Sequence, residues 1–352
     1  MTRESSKDAN GPTAHDWDHR PLRSRLMITV GGFGTLALAV AVLAPLVGST
    51  PIDFARVFDR SIPFVDNADA QIFFLARLPR VLAAMVVGSA LATSGVVLQA
   101  MFRNPLAAPE TLGVSAGAAL GAILAIVLGF TVTVGPFSPV PIASLAGALG
   151  AATAVYLLAS APRRPLSTAV LLLAGVTLNA FISALILFVQ YLSDFTQSFR
   201  ALRWMIGDLD VGNYVPILAS LPLVVVAFAM AAMISAPLNL LTLGGDVAAT
   251  RGVNVVRTHR LAFLTASLAT SAAVSLAGPV AFIGIVVPHL VRLIVGVDNR
   301  VVLPAAALFG AAFLVGCDLV ARTVMPATEI PVGIVTALVG GPFFLWLLVR
   351  KV

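Results

Sequence analysis

FRNPLAAPETLGVS, residues 102–115, breaks two long apolar runs with an arginine, an asparagine, two prolines and a glutamate, then resumes at once with glycine. A helix cannot run through Pro105 and Pro109, and Asn104 and Thr111 offer the side-chain oxygens that turns and caps use. The stretch therefore reads as a tight polar turn between two helices. The next residues place Gly113, Gly117 and Gly121 at i, i+4 and i+8, near one face of the second helix. Such a ladder lets another backbone approach closely.

The surroundings decide what kind of helices these are. The chain of 352 residues is 59% hydrophobic and only 11% charged, and its mean hydropathy is +0.99. A soluble domain carries about a quarter charged residues. This much apolar surface belongs in a bilayer. The formal charge of +6 does not indicate a nucleic-acid binder, because the arginines are spread over connecting segments and not gathered on one face. Cys317 is the one cysteine, so an intrachain disulfide is excluded. The two lysines, Lys7 and Lys351, do not follow a glycine loop. The chain therefore cannot hold ATP in a P-loop.

Ten apolar runs follow one another at 27–47, 78–102, 112–130, 140–159, 168–191, 214–235, 261–278, 281–296, 302–320 and 332–349. About 20 residues of helix span a bilayer. The run at 281–296 is short and contains Pro288. The expected fold is thus an all-α integral membrane protein of about ten transmembrane helices. It comprises a disordered cytoplasmic tail, 1–25, and one transmembrane domain, 26–352. With both termini on the cytoplasmic side, 15 of the 22 Lys and Arg residues fall inside and 7 outside. That is the bias expected of membrane proteins. No Asp, Glu, Lys or Arg lies in the middle of a span, and Asp194, Asp318 and Glu329 fall at or beyond outer ends. Proton-coupled carriers generally need an intramembrane acid, so a stand-alone secondary carrier is the weaker reading. Ser94 and Gln99 on the second helix, and Thr177, Asn179 and Ser183 on the fifth, are candidates to line a solute pathway. No catalytic set and no metal site are expected. The segment 236–260 is the longest internal cytoplasmic one. Asp246 and Asn254 are placed there as helix caps, and Gly252 as a stop.

Five stretches resemble the FecCD-type permeases of ABC importers, which carry ferric siderophores, haem or cobalamin. They are RLPRVLAAMVVGSALATSGVVLQAMFRNPLAAPETLGVSAGA (77–118), LLLAGVTLNAFISAL (171–185), LTLGGDVAATRGV (241–253), GPVAFIGIVVPHLVRL (278–293) and EIPVGIVTALVGGPFFLWLLVR (329–350). The resemblance implies a type II ABC importer permease fold in the bacterial inner membrane. It implies a dimer with a second permease chain, a homodimer being favoured over a heterodimer, with two ATP-binding cassette subunits below and a periplasmic substrate-binding protein above. The chain itself would carry no cofactor; ATP and magnesium would sit on the partner subunits. By the same resemblance, Arg77, Arg80 and Arg322 would dock the binding protein. Leu243, Gly244, Gly245, Asp246, Ala249, Arg251 and Gly252 would couple to the ATPase, and the turn at Arg103, Asn104 and Pro105 would face it. Many family members read A-R-x-L-G where this chain has Ala249, Thr250, Arg251 and Gly252. The expected cargo is a ferric siderophore, with haem or cobalamin as alternatives.

Overall fold

A computed structural model describes residues 21–130, 138–160, 168–325 and 329–351 of the chain. The expected tail falls almost wholly outside them. Among the described residues the regular structure is entirely helical. The helices long or apolar enough to matter for a membrane are α1 (Leu22–Leu43), α2 (Leu78–Phe102), α3 (Val114–Val127), α4 (Pro139–Ala159) and α5 (Thr168–Tyr191). After an amphipathic α6 (Phe195–Met205) come α7 (Val215–Thr242), a six-residue α8 (Gly245–Thr250), α9 (Val255–Ala277), α10 (Ile283–Val295), α11 (Asn299–Thr323) and α12 (Val332–Lys351). Seven are long and apolar enough to cross a membrane, and α3, α10 and α12 are the shorter apolar ones. The ten runs of the sequence thus reappear as ten apolar helices.

Their ends differ from the expected ones in two places. α1 begins at Leu22, inside the expected tail, because Pro21 precedes it and Leu22 and Leu26 pack on the core. Arg25 in its first turn is buried and donates to the Val295 carbonyl at 3.0 Å. α7 continues to Thr242 through Pro237, since Leu238 and Leu241 are buried against the bundle. The segment 236–260 is accordingly a tight α7–α8–α9 connection whose first residues belong to α7.

Burial sorts the helices into centre and periphery. About four-fifths of the α2 and α9 spans is buried (78% each), against 11% for α1 and 22% for α5. Lipid solvates leucine as well as protein does, so close backbone approach and hydrogen bonds hold such a bundle together more than apolar burial. The buried residues of α9 are accordingly mostly alanine, serine and threonine. Ser94 and Thr270 share a hydrogen bond of 2.9 Å between hydroxyls, and Ser94 also donates to the Ala266 carbonyl. Two of the three expected glycines pack as a ladder: a Cβ added to Gly117 or Gly121 would strike the backbone of α4 at Gly147 or Ala143, whereas Gly113 precedes the helix and meets α5.

The basic residues separate onto two opposite ends of the bundle. One end gathers Arg77, Arg80 and Arg322, with the Tyr214 hydroxyl donating to the Phe74 carbonyl at 2.6 Å. The other gathers Arg25, Arg103, Arg292 and Arg300 around the ends of α2, α7, α10 and α11. These are the two groups that the charge count assigned to opposite sides.

Candidate functional site

Four features converge on the parts of the fold that could move a solute. The first is the stretch 102–115. α2 ends where Arg103 takes a left-handed conformation (φ 52°), and Asn104 Oδ1 accepts from the Leu106 amide at 2.9 Å. The expected turn at Arg103, Asn104 and Pro105 is therefore present, and all three residues are exposed. The chain does not stay at that surface. Ala107, Ala108 and Pro109 are buried, a short 3-10 helix spans Pro109–Leu112, and α3 starts only after Gly113 (φ 73°). Gly113 packs against the α5 backbone at Gly175 and Asn179, and Pro109 lies against Gly284 at the start of α10. Gly175 is about 10 Å from the start of α5 at 1.5 Å per residue. The second half of the turn is thus carried well into the apolar layer. α10 matches it: the run 278–282 descends as non-helical chain, and the helix forms only from Ile283. Such broken spans are tolerated where protein or a cavity receives the freed backbone groups.

The second feature is the arginine cluster. Arg80 Nε donates to Asp318 Oδ1 at 2.7 Å, and its Nη1 to Glu329. Arg322 Nη2 donates to the Ala44 carbonyl at 2.7 Å, with its Nε 3.6 Å from Asp318 Oδ2. Arg77 donates to the carbonyls of Pro45, Leu46 and Thr50. All three arginines are buried, and Asp318 is fully so. Their guanidinium groups hold this chain's own 44–50 segment and carboxylates. They still line a pocket of about 220 Å³ with Gly48, Thr50, Asp210 and Glu329. Asp318, expected at or beyond the outer end of a span, is the central counter-ion. One partner, Arg322, is four residues on along α11, within reach of a local pattern, but the closer one, Arg80, lies 238 residues away, where no local pattern could disclose it.

At the other end stands α8. Gly244 precedes it at φ 123°, ψ 147°, a region open only to glycine, and Gly252 follows it at φ 82°. Leu243, Asp246, Val247, Ala249, Arg251 and Gly252 are exposed, while Ala248 anchors the helix and Gly245 is half-buried. Asp246 lies in the first turn without capping the helix; Asn254, as expected, caps α9 through the Arg257 amide at 3.0 Å. Just behind α8, Asn239 near the end of α7 donates to Asp298 at 2.6 Å and accepts from the Asn299 amide at 2.8 Å. Arg292 donates to Asn299 Oδ1 at 3.0 Å. Burial raises the Asp298 carboxyl, but the donors from Arg300 and Asn239 outweigh it and hold the group below its ordinary range. This network ties the α7 end that carries α8 to the α10–α11 junction. The expected reading of 236–260 did not include it.

The fourth feature is where the polar pathway candidates lie. Ser94 is sealed in the α2–α9 contact, and Gln99 is buried with its Nε2 on the Gly284 and Ile285 carbonyls at 3.3 Å. Both serve packing and do not face open space. Thr177 and Ser183 are exposed on α5, Asn179 is half-buried beside them, and Ser183 donates to the Asn179 carbonyl at 2.8 Å. A cavity of about 480 Å³ opens instead between the inserted turn and α12. It is lined by Glu110 and Ser115 together with Met205, Ile206, Pro279 to Ala281 and the first turns of α12. Sequence reasoning placed Glu110 in a surface turn. The sequence left no signal of this: its apolar run at 112–130 is of spanning length, whereas the helix itself covers only Val114–Val127.

This architecture has counterparts among known proteins. The family model of the FecCD transport family matches residues 36–350. The cobalamin import system permease protein BtuC of Halobacterium salinarum is 44% identical over 321 residues, covering 91% of this chain and 81% of that protein. The hemin transport system permease protein HmuU of Yersinia pestis is 38% identical over 339 residues, covering 94% and 97%. The Fe(3+) dicitrate transport system permease protein FecD of Escherichia coli is 39% identical over 274 residues, covering 78% and 84%. A solved structure of a metal-chelate type ABC transporter in an inward-facing conformation aligns with a TM-score of 0.78 at 33% identity, over 92% of this chain and 99% of that one.

Proposed function

Because this chain belongs to the FecCD transport family and is a multi-pass permease of an ABC importer, we infer that it conducts a bulky metal chelate inward. The supporting observation is the family match over 36–350, laid on ten apolar helices whose sequence contains no P-loop lysine. Energy then comes from separate ATPase chains. A ferric siderophore is the cargo favoured by the wording of NPLAAPETLGVS (104–115) and LGGD (243–246). A corrinoid is the second reading, favoured by the 44% identity to a cobalamin permease. What the relatives' named cargoes share is a metal held in a multidentate organic ligand.

In this reading both termini are cytoplasmic and the membrane is the bacterial inner membrane. The α8 end faces two ATPase subunits, which bind ATP and magnesium, and the arginine-cluster end faces a periplasmic binding protein. A second, identical copy supplies the other wall of the path. The open α5 face with Thr177, Asn179 and Ser183 suits that path. Docking at Arg77, Arg80 and Arg322 proceeds through the pocket they line, where an incoming carboxylate competes with the half-exposed Glu329 for Arg80. ATP-driven closure of the ATPase pair pushes on Leu243, Gly244, Gly245, Asp246, Ala249, Arg251 and Gly252. The Asn239–Asp298 contact passes that movement to α10 and α11.

Uptake of labelled cyanocobalamin, haem and a siderophore panel, in cells with and without the chain, identifies the cargo. Affinity purification of the chain is expected to bring down a P-loop ATPase. Retrieval of the chain alone, with solute accumulation by the chain alone in vesicles, overturns the reading. Gly244→Val forces a side chain into a conformation that costs about 1–3 kcal/mol at such positions. Uptake and binding-protein-stimulated ATP hydrolysis are expected to fall at least about tenfold, with the amount of protein in the membrane unchanged. Unchanged transport removes α8 from the coupling role.

A further inference from the structure

Glu110 is the one carboxylate among the described residues that lines the cavity beside α12. Two close contacts hold it there, Gly113 on the Gly175 backbone and the Pro109 ring on Gly284. These place it deeper than the turn's exposed half at Arg103 to Leu106. Among the described residues no arginine, lysine or histidine forms an ion pair with it, and its side chain accepts no hydrogen bond from another residue. An acid that stabilised the fold would have such a partner, as Asp318 and Asp298 do. The rest of the lining is apolar apart from Ser115. Leaving an acid facing an apolar cavity in a membrane is costly, and such a residue acts on what passes.

We propose that Glu110 is a charge filter on the solute path: it favours metal chelates that are neutral or cationic and present N–H donors, and it disfavours chelates of net negative charge. The inference rests on the reading of the chain as a chelate importer and adds a selectivity to it. The carboxylate accepts hydrogen bonds from amide or ammonium groups on the periphery of a passing chelate. It repels the free carboxylates of an anionic one. Two unit charges a few ångströms apart in a medium of intermediate dielectric interact strongly enough to shift a transport ratio about tenfold or more.

The test uses the complete importer with its ATPase and binding-protein partners, and compares wild type, Glu110→Gln and Glu110→Asp. Cyanocobalamin, which is neutral and rich in amides, is run against haem and ferric dicitrate, which are anionic. Glu110→Gln is expected to raise anionic relative to neutral uptake about tenfold, and Glu110→Asp to leave the ratio near that of wild type. An unchanged ratio in Glu110→Gln overturns the filter. So does an equal loss for all three probes at normal protein level, which assigns the residue to the turn's structure. Accessibility is read independently of cargo. In a Cys317→Ala background, Glu110→Cys is expected to react with water-soluble thiosulfonate reagents, the cationic one and the anionic one alike. Absence of labelling overturns the proposal even if the importer carries none of the probes, the outcome that would defeat the import reading by itself.

Discussion

Asp318→Ala is expected to destabilise the protein by about 3–5 kcal/mol, the range for removing one partner of a buried ion pair. Asp318 is fully buried on α11 and receives the Arg80 guanidinium at 2.7 Å, with Arg322 beside it. Its loss leaves Arg80 with Glu329 alone and Arg322 with a single carbonyl. Glu329 is about half exposed (52%), so Glu329→Ala is expected to cost about 1 kcal/mol or less, as partly solvated pairs do. Thermal unfolding of the purified protein in detergent measures both. The order Asp318 well above Glu329 is the prediction, and equal effects refute it. Asp318→Asn keeps a hydrogen-bond acceptor without the charge and should fall between. The consequence is functional as well as structural. Arg77 and Arg322 hold the chain after α1 by its carbonyls, so the surface offered to a binding protein depends on a counter-ion that the partner never touches.

Gly88→Val is expected to deplete the folded protein from the membrane. α2 and α11 cross with Gly88 on Gly310. A Cβ on either would fall within clash distance of the other's backbone carbonyl. Backbone cannot swing aside as a side-chain tip does, so the penalty belongs at the upper end of the 1–3 kcal/mol that overpacking usually costs, or above it. The control lies on the same helix as Gly310. A Cβ on Gly316 meets nothing within 4 Å. Gly316→Ala is therefore expected to change stability by less than about 0.5 kcal/mol, or to raise it slightly through helix propensity. Membrane-fraction immunoblots and detergent unfolding report both variants. Similar behaviour of the two would mean that α2 and α11 do not approach as closely as described.

The ten spans, the grouping of basic residues into two ends and the α8 turn with its glycines were determined by the amino-acid sequence itself. Each is enforced locally: bilayer thickness sets the run length, proline and glycine punctuate, and arginine stays out of the lipid. Other features came from tertiary structure alone. The charge-free interior read from the runs held only for residues counted by position along a helix. Asp318 has Arg322 four residues on, but its hydrogen-bonded counter-ion is an arginine 238 residues away, and Glu110 is drawn inward by glycine contacts with helices that lie far along the chain. Ser94 and Gln99 look like pathway residues in a list of polar side chains, yet helix packing seals them. Helix existence is a short-range property of hydrophobicity and hydrogen bonding. Which face a polar group meets is set by long-range packing, which a linear pattern does not encode.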